Sequence, residues 1–524
     1  MAMTQIANSG AANMKEIGVP AITGLMFQNN DKIHDLIGIG FGPASLAIAV
    51  ALYDMLEERA VRGSTSLTTS VKFLERQPRF AWHAGMLLPG TKMQISFLKD
   101  LATMRNPGSH FTFLNYLKAH DRLVQFANLS TFLPFRVEFE DYLKWSAAHF
   151  ERLVDYSQDA VSVRPLHLDG STKCNCLEVI SRNTKTGGEM VQRSKNIVIA
   201  VGGRPSIPAV FSHDSTKIMH SSRYNYQISD VLPDRTAHYS IAVVGAGQSA
   251  AEVFHDLHSR YPNSSSYLMM RDTAMRPSDD SPFVNEVFNP EAVDQFYSTP
   301  ASLRKSQLKI NKATNYSVVR LGLLEQIYED MYYQRMHEPN SDHWQHRILS
   351  SSEVTLVDET TQGRLRLTVR DLTDDHDNGK DLIVDAVVVA TGYIRDVHNQ
   401  ILQDCQVING SANGEWVPER DYKVQLNRQM VEDDIQIYLQ GCNEESHGLS
   451  DSLLSVVASR GGEMINSVFG SAVLETNTQE LVQSTGLNGP LGPLWKLHKS
   501  PGTDAPCKQD LPTTLPSRKV IGRL

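Results

Sequence analysis

The chain has 524 residues, which at roughly 100–200 residues per domain allows two to four domains. Its 50 Lys and Arg residues against 59 Asp and Glu residues leave a formal charge of −9, so composition predicts no basic surface for nucleic acid. The five cysteines exclude a disulfide scaffold, and the CxC spacing of Cys174 and Cys176 fits neither a zinc pair nor a CxxC redox centre.

Residues 1–31 are expected to form a flexible tail; with no Arg, one Lys and no strong apolar stretch in the first 30 residues, they fit neither a signal nor a transit peptide well. No apolar run reaches about 18 residues, so no membrane span is predicted. The few cysteines make a reducing compartment the default, so we expect a cytoplasmic protein. The alternative is a peroxisomal one, because the terminal Gly522-Arg523-Leu524 distantly resembles a peroxisomal address.

The first element of the chain is a predicted strand at 34–40 that enters the glycine-rich turn Gly38, Gly40 and Gly42. Such a turn lets the backbone approach a pyrophosphate at the N-terminus of the following helix, although Pro43 replaces the third glycine of GxGxxG. The next predicted strand ends at Glu75, whose carboxylate could accept hydrogen bonds from ribose hydroxyls or could be a solvated strand-end charge.

A second strand at 240–247 enters another turn, and the following strand ends in Arg271 rather than in a carboxylate. The turn supplies five candidate cofactor contacts: Gly245, Ala246, Gly247, Gln248 and Ser249. Because arginine pairs with a 2′-phosphate, we prefer NADPH over NADH here, with a plain surface arginine as the alternative.

Strands at 195–203 and 385–392, each ending in glycine, complete two nucleotide-binding units. The predicted fold is α/β, with two Rossmann-like dinucleotide-binding domains for FAD and NADPH and a smaller, mainly helical substrate-binding insertion. In chain order the predicted parts are a flexible N-terminal tail (1–31), the FAD domain (32–230), the NADPH domain (231–280), the insertion (281–350), the second NADPH part (351–395), the second FAD part (396–475) and a C-terminal extension (476–524).

Two different dinucleotide sites imply hydride transfer from NADPH to a flavin. Without a CxxC pair to take the electrons, molecular oxygen is the natural acceptor. The insertion contains a plausible amphipathic helix, Leu321 to Met336. We interpret this aromatic-rich, mostly helical segment as an insertion that covers a cleft.

Several blocks of sequence are similar to those of a known family. They are GIGFGPASLA (38–47), FAWHAGMLLPGTKMQISFLKDLATMRNP (80–107), VVGAGQSAAE (243–252), RPSDDSPFVNEVFNP (276–290), TNYSVV (314–319), ATGY (390–393) and HGLSDSLLS (447–455). With these blocks the chain closely resembles the fungal L-ornithine N5-monooxygenases of siderophore biosynthesis, which are FAD- and NADPH-dependent N-hydroxylating enzymes. The resemblance covers most of 32–470.

The resemblance implies a role for each matching position. On the flavin side it implies Glu75, Trp82, His83, Met93, Gln94, Val161 (through its backbone), Ser452, Leu453 and Leu454. On the NADP side it implies Asn315, Tyr316 and Ser317, beside the second glycine turn. For ornithine it implies Lys99 at the carboxylate and Asn285, Glu286, Val287, Phe288 and Ser455 around it. The reacting centre would be flanked by Asn315, which would also reach ornithine, and by Arg136, which resembles a flavin-side arginine.

The residue types alone leave other interpretations open. Lys99 could be a surface lysine with a buried stem, Asn285 and Asn315 could be turn or capping residues, and Trp82 and Met93 could be core residues. The histidines and acids show no metal-ligand spacing, so no metal is predicted.

The activity implied by the resemblance is hydroxylation of the ornithine side-chain amine with O2, through a hydroperoxide at flavin C4a, as the first committed step toward a hydroxamate siderophore. The alternatives are lysine N6-hydroxylation or a catalytically inactive nucleotide-binding scaffold. The expected partners are L-ornithine, O2 and NADPH, without nucleic acid or a membrane span. The resemblance suggests a homotetramer.

Overall fold

The computed structural model describes residues 32–62, 69–212 and 214–470. The predictions made for residues 1–31, for 476–524 and for the terminal tripeptide therefore lie outside the described residues.

Strands and helices alternate along the described ranges. The strands are β1 (Ile33–Ile39), β2 (Val71–Glu75), β3 (Val154–Tyr156), β4 (Gln158–Leu166), β5 (Cys176–Asn183), β6 (Glu189–Ile199), β7 (Arg204–Pro205), β8 (Ile218–His220), β9 (Ser240–Val244), β10 (Ser265–Met269), β11 (Arg276–Pro277), β12 (Val318–Val319), β13 (His346–Leu349), β14 (Ser352–Glu359), β15 (Leu365–Asp371), β16 (Lys380–Val384), β17 (Ala386–Val389), β18 (Tyr393–Ile394) and β19 (Gln436–Leu439). The helices are α1 (Pro43–Val61), α2 (Phe113–Ala119), α3 (Leu123–Asn128), α4 (Arg136–Ala148), α5 (Tyr224–Val231), α6 (Gln248–Arg260), α7 (Pro282–Asn285), α8 (Pro290–Ser298), α9 (Ala301–Asn315), α10 (Leu321–His337), α11 (Val397–Ile401) and α12 (Glu444–His447), and a further helix covers 457–470.

The first sheet has the order β3-β2-β1-β6-β5-β4, and β19 also pairs with β6. Its centre is parallel, since Gly38 on β1 lies opposite Phe73 on β2 and Val198 on β6. Where β1 and β6 pair at the sheet centre, Ile37–Ile39 and Ile197–Ile199 are buried, which is why the sequence is apolar there. The predicted strands at 34–40 and 72–75 are present as β1 and β2.

The second sheet has the order β13-β10-β9-β17-β8, and its neighbours are parallel throughout. Ile241 on β9 is paired with Ala386 on β17, so the two predicted strands at 240–247 and 385–392 lie side by side. Strand β8 also belongs to this sheet, although it precedes the sequence-based boundary at 230/231. Likewise β13 lies in this sheet, although it falls within 281–350. The α/β prediction with two parallel dinucleotide-type sheets is confirmed.

Each sheet has its own packed core. Helix α1 covers one face of the first sheet in an aromatic core that includes Phe73, Phe113 and Tyr142. Helix α6 packs on the second sheet through Val253 and Phe254, each fully buried. An antiparallel sheet, β14-β15-β16, lies beside the second sheet.

The segment between β11 and β13 is mainly helical, in agreement with the predicted insertion. Helix α10 spans Leu321–His337 and matches the predicted helix 321–336. Helices α8 and α9 both contact α12, near the C-terminal end of the described chain. Among the described helices, none has the length and apolarity needed to span a bilayer.

Candidate functional site

The first glycine turn has the shape of a dinucleotide cradle. Gly40 has φ +89°, and a Cβ there would lie 2.7 Å from the carbonyl oxygen of Ala200, so a side chain is excluded. Gly42 caps α1, Pro43 occupies its first turn, and no atom lies within 4 Å of a Cβ built at Gly42. Free backbone donors at a helix N-terminus with open space above them fit a pyrophosphate.

Glu75 lies at the end of β2, and its carboxylate is buried beside this turn. The backbone N–H of Phe41 donates to Oε2 at 2.7 Å, and that of Gln77 donates to Oε1 at 2.8 Å. These two bonds hold the carboxylate in place, and each oxygen keeps a further lone pair for a ribose hydroxyl. The solvated-charge alternative does not describe this buried position.

Val161 lies at an irregularity of β4. The pairing of β4 with β5 shifts register between Ala160 and Ser162, which leaves Val161 as the extra residue. A bulge releases backbone groups from the sheet. This supports the predicted backbone contact between Val161 and an adenine.

Trp82 and His83 lie in the loop between the end of β2 and the short 3-10 turn at 84–86. Trp82 packs edge-on against His83 and Phe139, with ring centroids 5.2 and 6.0 Å apart. His83 has φ 46°, and part of its side chain is exposed to solvent while protein atoms lie on its other sides. The surrounding protein, then Arg136 and Arg395, lower the pKa of His83 to about 4. Its imidazole is therefore neutral near pH 7 and suited to a neutral ring system.

The second glycine turn repeats the geometry of the first. Gly245 has φ +144°, and a Cβ there would lie 2.4 Å from the carbonyl oxygen of Ala390. Gly247 caps α6 and faces the backbone of Ser317, whose Cα would be 3.6 Å from a Cβ at Gly247. Ser317 itself has φ 57°, a costly conformation for a non-glycine residue and one that is frequent at ligand sites.

Arg271 lies just beyond the end of β10, as predicted. Its guanidinium is largely exposed, and Nη1 is 3.8 Å from Oε1 of Glu353, which Arg370 also approaches at 3.5 Å. Such a loose surface pair contributes little to stability. Arg271 thus remains able to pair with a phosphate at the open end of the second sheet.

The two units are joined by the side chain of Arg136. Its guanidinium donates in bidentate fashion to Glu252 on α6, at 2.8 and 2.7 Å, and Nη1 also donates to the carbonyl oxygen of Met86. Gln248 continues this network, since its Nε2 donates to Oε1 of Glu252 at 2.8 Å. The predicted flavin-side arginine is therefore bound to the helix that begins at the second glycine turn.

Arg320 extends the same connection to Met93. Its backbone N–H donates to Oε1 of Gln248 at 2.9 Å, and its Nη1 donates to the carbonyl oxygen of Met93 at 3.1 Å. The side chain of Met93 is buried in the aromatic core, whereas that of Gln94 is exposed. The backbone at Met93 is thereby fixed to the second unit.

Lys99 lies among apolar neighbours and is only partly exposed. Burial lowers the pKa of its ammonium group. Within the described residues its Nζ has no carboxylate within ion-pair distance. A partly buried cation without a partner favours an external anion over the alternative of a surface lysine.

Some side chains of the insertion are buried in a small core, and others are exposed to solvent. Phe288 packs with Leu308 and Leu449 in a small core, while Glu286 is exposed. The side-chain amides of Asn285, at the end of α7, and Asn315, at the end of α9, have no hydrogen-bond partner among the described residues. Neither side chain makes a capping hydrogen bond, although Asn285 also precedes the short 3-10 turn at 286–288.

A cavity of about 280 Å³ lies beside these residues. Val287 lines it together with Asn311, one helical turn before Asn315, and with Leu449 and His447. No Lys, Arg, Asp or Glu of the described chain is among its lining residues. Burial lowers the pKa of His447, whose Nε2 donates to the carbonyl oxygen of Arg420.

Glu444 brings the predicted NADP side and flavin side together. Its carboxylate accepts hydrogen bonds from the hydroxyls of Tyr316 and Ser452. Arg395 lies 3.6 Å from the same carboxylate and also donates to the Tyr316 hydroxyl at 3.3 Å. Tyr316 and Ser452, which come from separate sequence blocks, are thus both bonded to the carboxylate of Glu444.

The segment that carries Ser452 to Ser455 is held by a buried ion pair. Arg460 donates to Asp451 Oδ1 at 2.8 Å, and the backbone N–H of Asn443 donates to Oδ2 at 2.7 Å. Leu453 packs near Phe288, and Leu454 packs on the aromatic core. The Oγ of Ser455 is buried and lacks a hydrogen-bond partner in the described structure. An unsatisfied buried hydroxyl fits a polar ligand.

Sequence reasoning missed five residues of this site: Glu252, Arg320, Arg395, Glu444 and Arg460. Glu252 closes the VVGAGQSAAE block, and Arg395 follows ATGY by two residues. Their positions in or beside the sequence blocks that carry the resemblance were a signal, but their partners are distant in sequence. Among the described residues, no group of three or more His, Cys, Asp or Glu side chains is arranged to hold a metal ion.

The comparisons with known proteins agree with this geometry. Residues 32–395 match the family model described as L-lysine 6-monooxygenase/L-ornithine 5-monooxygenase. The L-ornithine N(5)-monooxygenase of Aspergillus oryzae is 52% identical over 458 residues, which cover 86% of this chain and 91% of that protein.

Two solved structures have similar folds. The ornithine hydroxylase PvdA from Pseudomonas aeruginosa is 38% identical, with a TM-score of 0.74 over 84% of this chain and 100% of that chain. The ornithine N-hydroxylase KtzI of Kutzneria sp. 744, solved with reduced FAD, NADP+ and L-ornithine, is 34% identical, with a TM-score of 0.74 and the same coverage of 84% and 100%. The chain belongs to the L-lysine 6-monooxygenase/L-ornithine 5-monooxygenase family.

Proposed function

We propose that this chain hydroxylates the side-chain amine of L-ornithine to N5-hydroxy-L-ornithine, using FAD, NADPH and O2. The observation that carries the proposal is that unpartnered polar groups of Lys99, Asn285, Asn315 and Ser455 accompany two complete dinucleotide turns. An ammonium, two amides and a hydroxyl are the groups that bind an amino acid's carboxylate and α-amine.

The first unit would hold FAD and the second NADPH. We assign to FAD the turn Gly38–Gly42 with Pro43, the carboxylate of Glu75, the backbone of Val161, and residues Trp82, His83, Met93, Gln94, Ser452, Leu453 and Leu454. We assign to NADPH the turn Gly245–Ser249, Arg271 and residues 315–317. When bound, FAD supplies the hydride acceptor and the oxygen-activating centre for the reaction, and NADPH supplies the hydride.

The protein itself would orient the substrate and exclude water from the reacting atoms. Lys99 would pair with the ornithine carboxylate, and Asn285, Asn315 and Ser455 would orient the amino acid so that its side-chain amine points to the flavin. Leu453 and Leu454, held in place through Asp451 and Arg460, would exclude water from the reacting atoms. The attacking amine must be neutral, so activity should rise with pH toward the amine pKa of ~10.4.

Oxygen consumption tests the proposal. The purified full-length protein with FAD and NADPH should consume O2 faster with L-ornithine than with L-lysine, and a hydroxylamine product should appear only with the preferred substrate. Hydrogen peroxide as the sole product with ornithine would refute N-hydroxylation. Equal hydroxylation of lysine would show instead that the enzyme does not distinguish the side-chain amines of ornithine and lysine.

Three further properties are also proposed, the first two from the family resemblance and the third from the cysteine content. These are supply of the product to hydroxamate siderophore synthesis, assembly as a homotetramer and residence in the cytoplasm. Siderophore loss on gene deletion, light scattering of the purified protein and localisation of a tagged chain test them in turn.

A further inference from the structure

One short segment carries both the proposed flavin contacts and the proposed substrate anchor. Met93 and Gln94 begin it, and Lys99 follows five positions after Gln94. The backbone at Met93 is fixed, because its N–H donates to the carbonyl oxygen of Pro134 at 2.9 Å and its carbonyl oxygen accepts from Arg320. The distance from the flavin to the ornithine carboxylate therefore depends on how the other end of this segment is held.

Asp100 holds the segment at the Lys99 end. Its side chain is only 2% exposed, and its Oδ1 accepts from the backbone N–H groups of Ala102 at 2.9 Å and Thr103 at 2.6 Å. Its Oδ2 accepts from the Thr103 hydroxyl and from the backbone N–H of Phe113 at the start of α2, each at 2.7 Å. Burial raises the pKa of Asp100, and these hydrogen bonds oppose the shift. Four donors on one buried carboxylate form a rigid junction between the segment and α2.

A tyrosine supports the same junction from α4. The backbone N–H of Leu101 donates at 3.0 Å to the hydroxyl of Tyr142, which is fully buried. That hydroxyl in turn donates to the carbonyl oxygen of Phe111 at 2.8 Å, so its own position is determined. Before the junction, the backbone N–H of Lys99 donates to the carbonyl oxygen of Ser96 at 2.9 Å. The backbone of Lys99 is thus fixed from both directions.

A fixed anchor measures the length of the substrate side chain. The side chains of ornithine and lysine differ by one methylene, so with the carboxylate bound their amines reach different distances. A binding pocket discriminates one methylene by only about 10–200-fold. That discrimination is lost when the anchor can shift to accommodate the longer chain, because the reacting atoms must be placed to within about an ångström.

We propose that Asp100 is a positioning residue for chain-length specificity, because it holds the backbone of Lys99 at the distance from the flavin that the ornithine side chain spans. The four donors from the protein use the acceptor positions of its carboxylate, so Asp100 acts through Lys99 and not on the substrate. The inference rests on the proposed function and adds to it the residue that sets the preference for ornithine over lysine.

Product analysis with two substrates tests this role. Asp100→Asn keeps the shape of the side chain, but in either orientation its amide nitrogen faces a backbone N–H donor. The kcat/KM for hydroxylamine formation with ornithine, divided by that with lysine, should fall about tenfold or more, whereas anaerobic flavin reduction by NADPH should be unchanged. The matched control is Asp256→Asn, because Asp256 is also buried and accepts from Tyr224 and Arg260, but lies in the second unit. It should leave the ratio unchanged.

Two further measurements separate positioning from a general loss of structure. In the Lys99→Ala background, Asp100→Asn should cause no further change in the ratio, because the group through which Asp100 acts is absent. Hydrogen exchange of the backbone amides of 99–103 should be faster in Asp100→Asn than in the wild type, and unchanged in Asp256→Asn.

The outcomes distinguish this inference from the proposed function. An unchanged ratio in Asp100→Asn, or an equal fall of the ratio in the Lys99→Ala background, would overturn the positioning role and leave ornithine hydroxylation intact. Absence of ornithine hydroxylation in the wild type would overturn the proposed function, and the role of Asp100 with it.

Discussion

Arg136 and Glu252, which are 116 positions apart in the sequence, form a bidentate ion pair between helices α4 and α6. Their side chains are only 12 and 4% exposed. Because α4 belongs to the first unit and α6 begins at the second glycine turn, the pair fixes the angle between the two dinucleotide sites. Hydride transfer requires the hydride donor and acceptor atoms to be placed to within about an ångström.

Replacing Glu252 should uncouple the two units. We expect Glu252→Gln to slow anaerobic flavin reduction by NADPH about tenfold or more, because the nicotinamide and flavin rings are no longer held in register. Breaking a buried pair should also cost about 3–5 kcal/mol of folding free energy. Stopped-flow absorbance and chemical denaturation measure the two effects.

The matched control is Glu189→Gln, which removes an exposed pair with Arg182 in the first unit. That change should alter stability by no more than about 1 kcal/mol and leave flavin reduction unchanged. If Glu252→Gln keeps the wild-type reduction rate, Glu252 does not position the two units.

Lys99→Ala should weaken ornithine binding without affecting flavin reduction. A charge-assisted contact is worth about 1.5–3 kcal/mol, so the KM for ornithine should rise by roughly ten- to a hundredfold. Steady-state kinetics with varied ornithine and anaerobic reduction by NADPH separate the two properties. An equal loss in both would show that Lys99 is structural.

The lowered pKa of Lys99 predicts a pH dependence of binding. The ammonium form pairs with a carboxylate, so KM should be constant below the Lys99 pKa and rise as pH increases through it. Lys99→Arg keeps its positive charge over the whole range and should lose this alkaline rise. An alkaline rise of the same size in Lys99→Arg would assign the titration to another group.

Arg271→Ala should narrow the preference for NADPH over NADH. Loss of an arginine–phosphate pair weakens NADPH binding and leaves NADH binding nearly unaffected. The kcat/KM for NADPH divided by that for NADH should therefore fall about tenfold or more. Arg370→Ala is the control, since Arg370 approaches the same Glu353 but lies on β15 rather than at the end of β10. A ratio unchanged in Arg271→Ala would contradict the assignment.

The two strand–turn–helix units were predictable because their signals are local. An apolar run followed by glycines and a helix identifies β1 with α1, and β9 with α6, without any distant partner. The helix at Leu321–His337 was also predictable from a local signal, the helical spacing of its apolar residues. Tertiary pairing decides the rest: the short strand β8 reveals its sheet only through its register with β17.

Side-chain partners were not predictable from the sequence. The resemblance gave Arg136 a place beside the flavin, but it gave no indication that Glu252 would hold its guanidinium. No motif marks Glu444 in the sequence, yet it joins Tyr316 to Ser452, which are 136 positions apart. Such contacts depend on how two units dock, and residue patterns within one segment carry no information about docking.

The stacked rings of His258 and His346 predict acid sensitivity. Their centroids are 3.6 Å apart, and burial lowers the pKa of each to about 3. His255 further lowers the pKa of His258, while Asp330 opposes the shift at His346. Both rings are neutral in the folded chain and take up protons near pH 6.5 when it unfolds. Their stabilising contribution is therefore complete above about pH 6.5 and decreases as pH falls toward 3.

Each histidine should contribute a slope of up to about 1.4 kcal/mol per pH unit in that window. His346→Phe preserves the ring stack and removes one titrating group, so denaturation between pH 5 and 6.5 should show a slope lower by about that amount. His376→Gln, an exposed histidine in the β15–β16 connection, should leave the slope unchanged. If His346→Phe retains the wild-type slope, other groups account for the acid sensitivity.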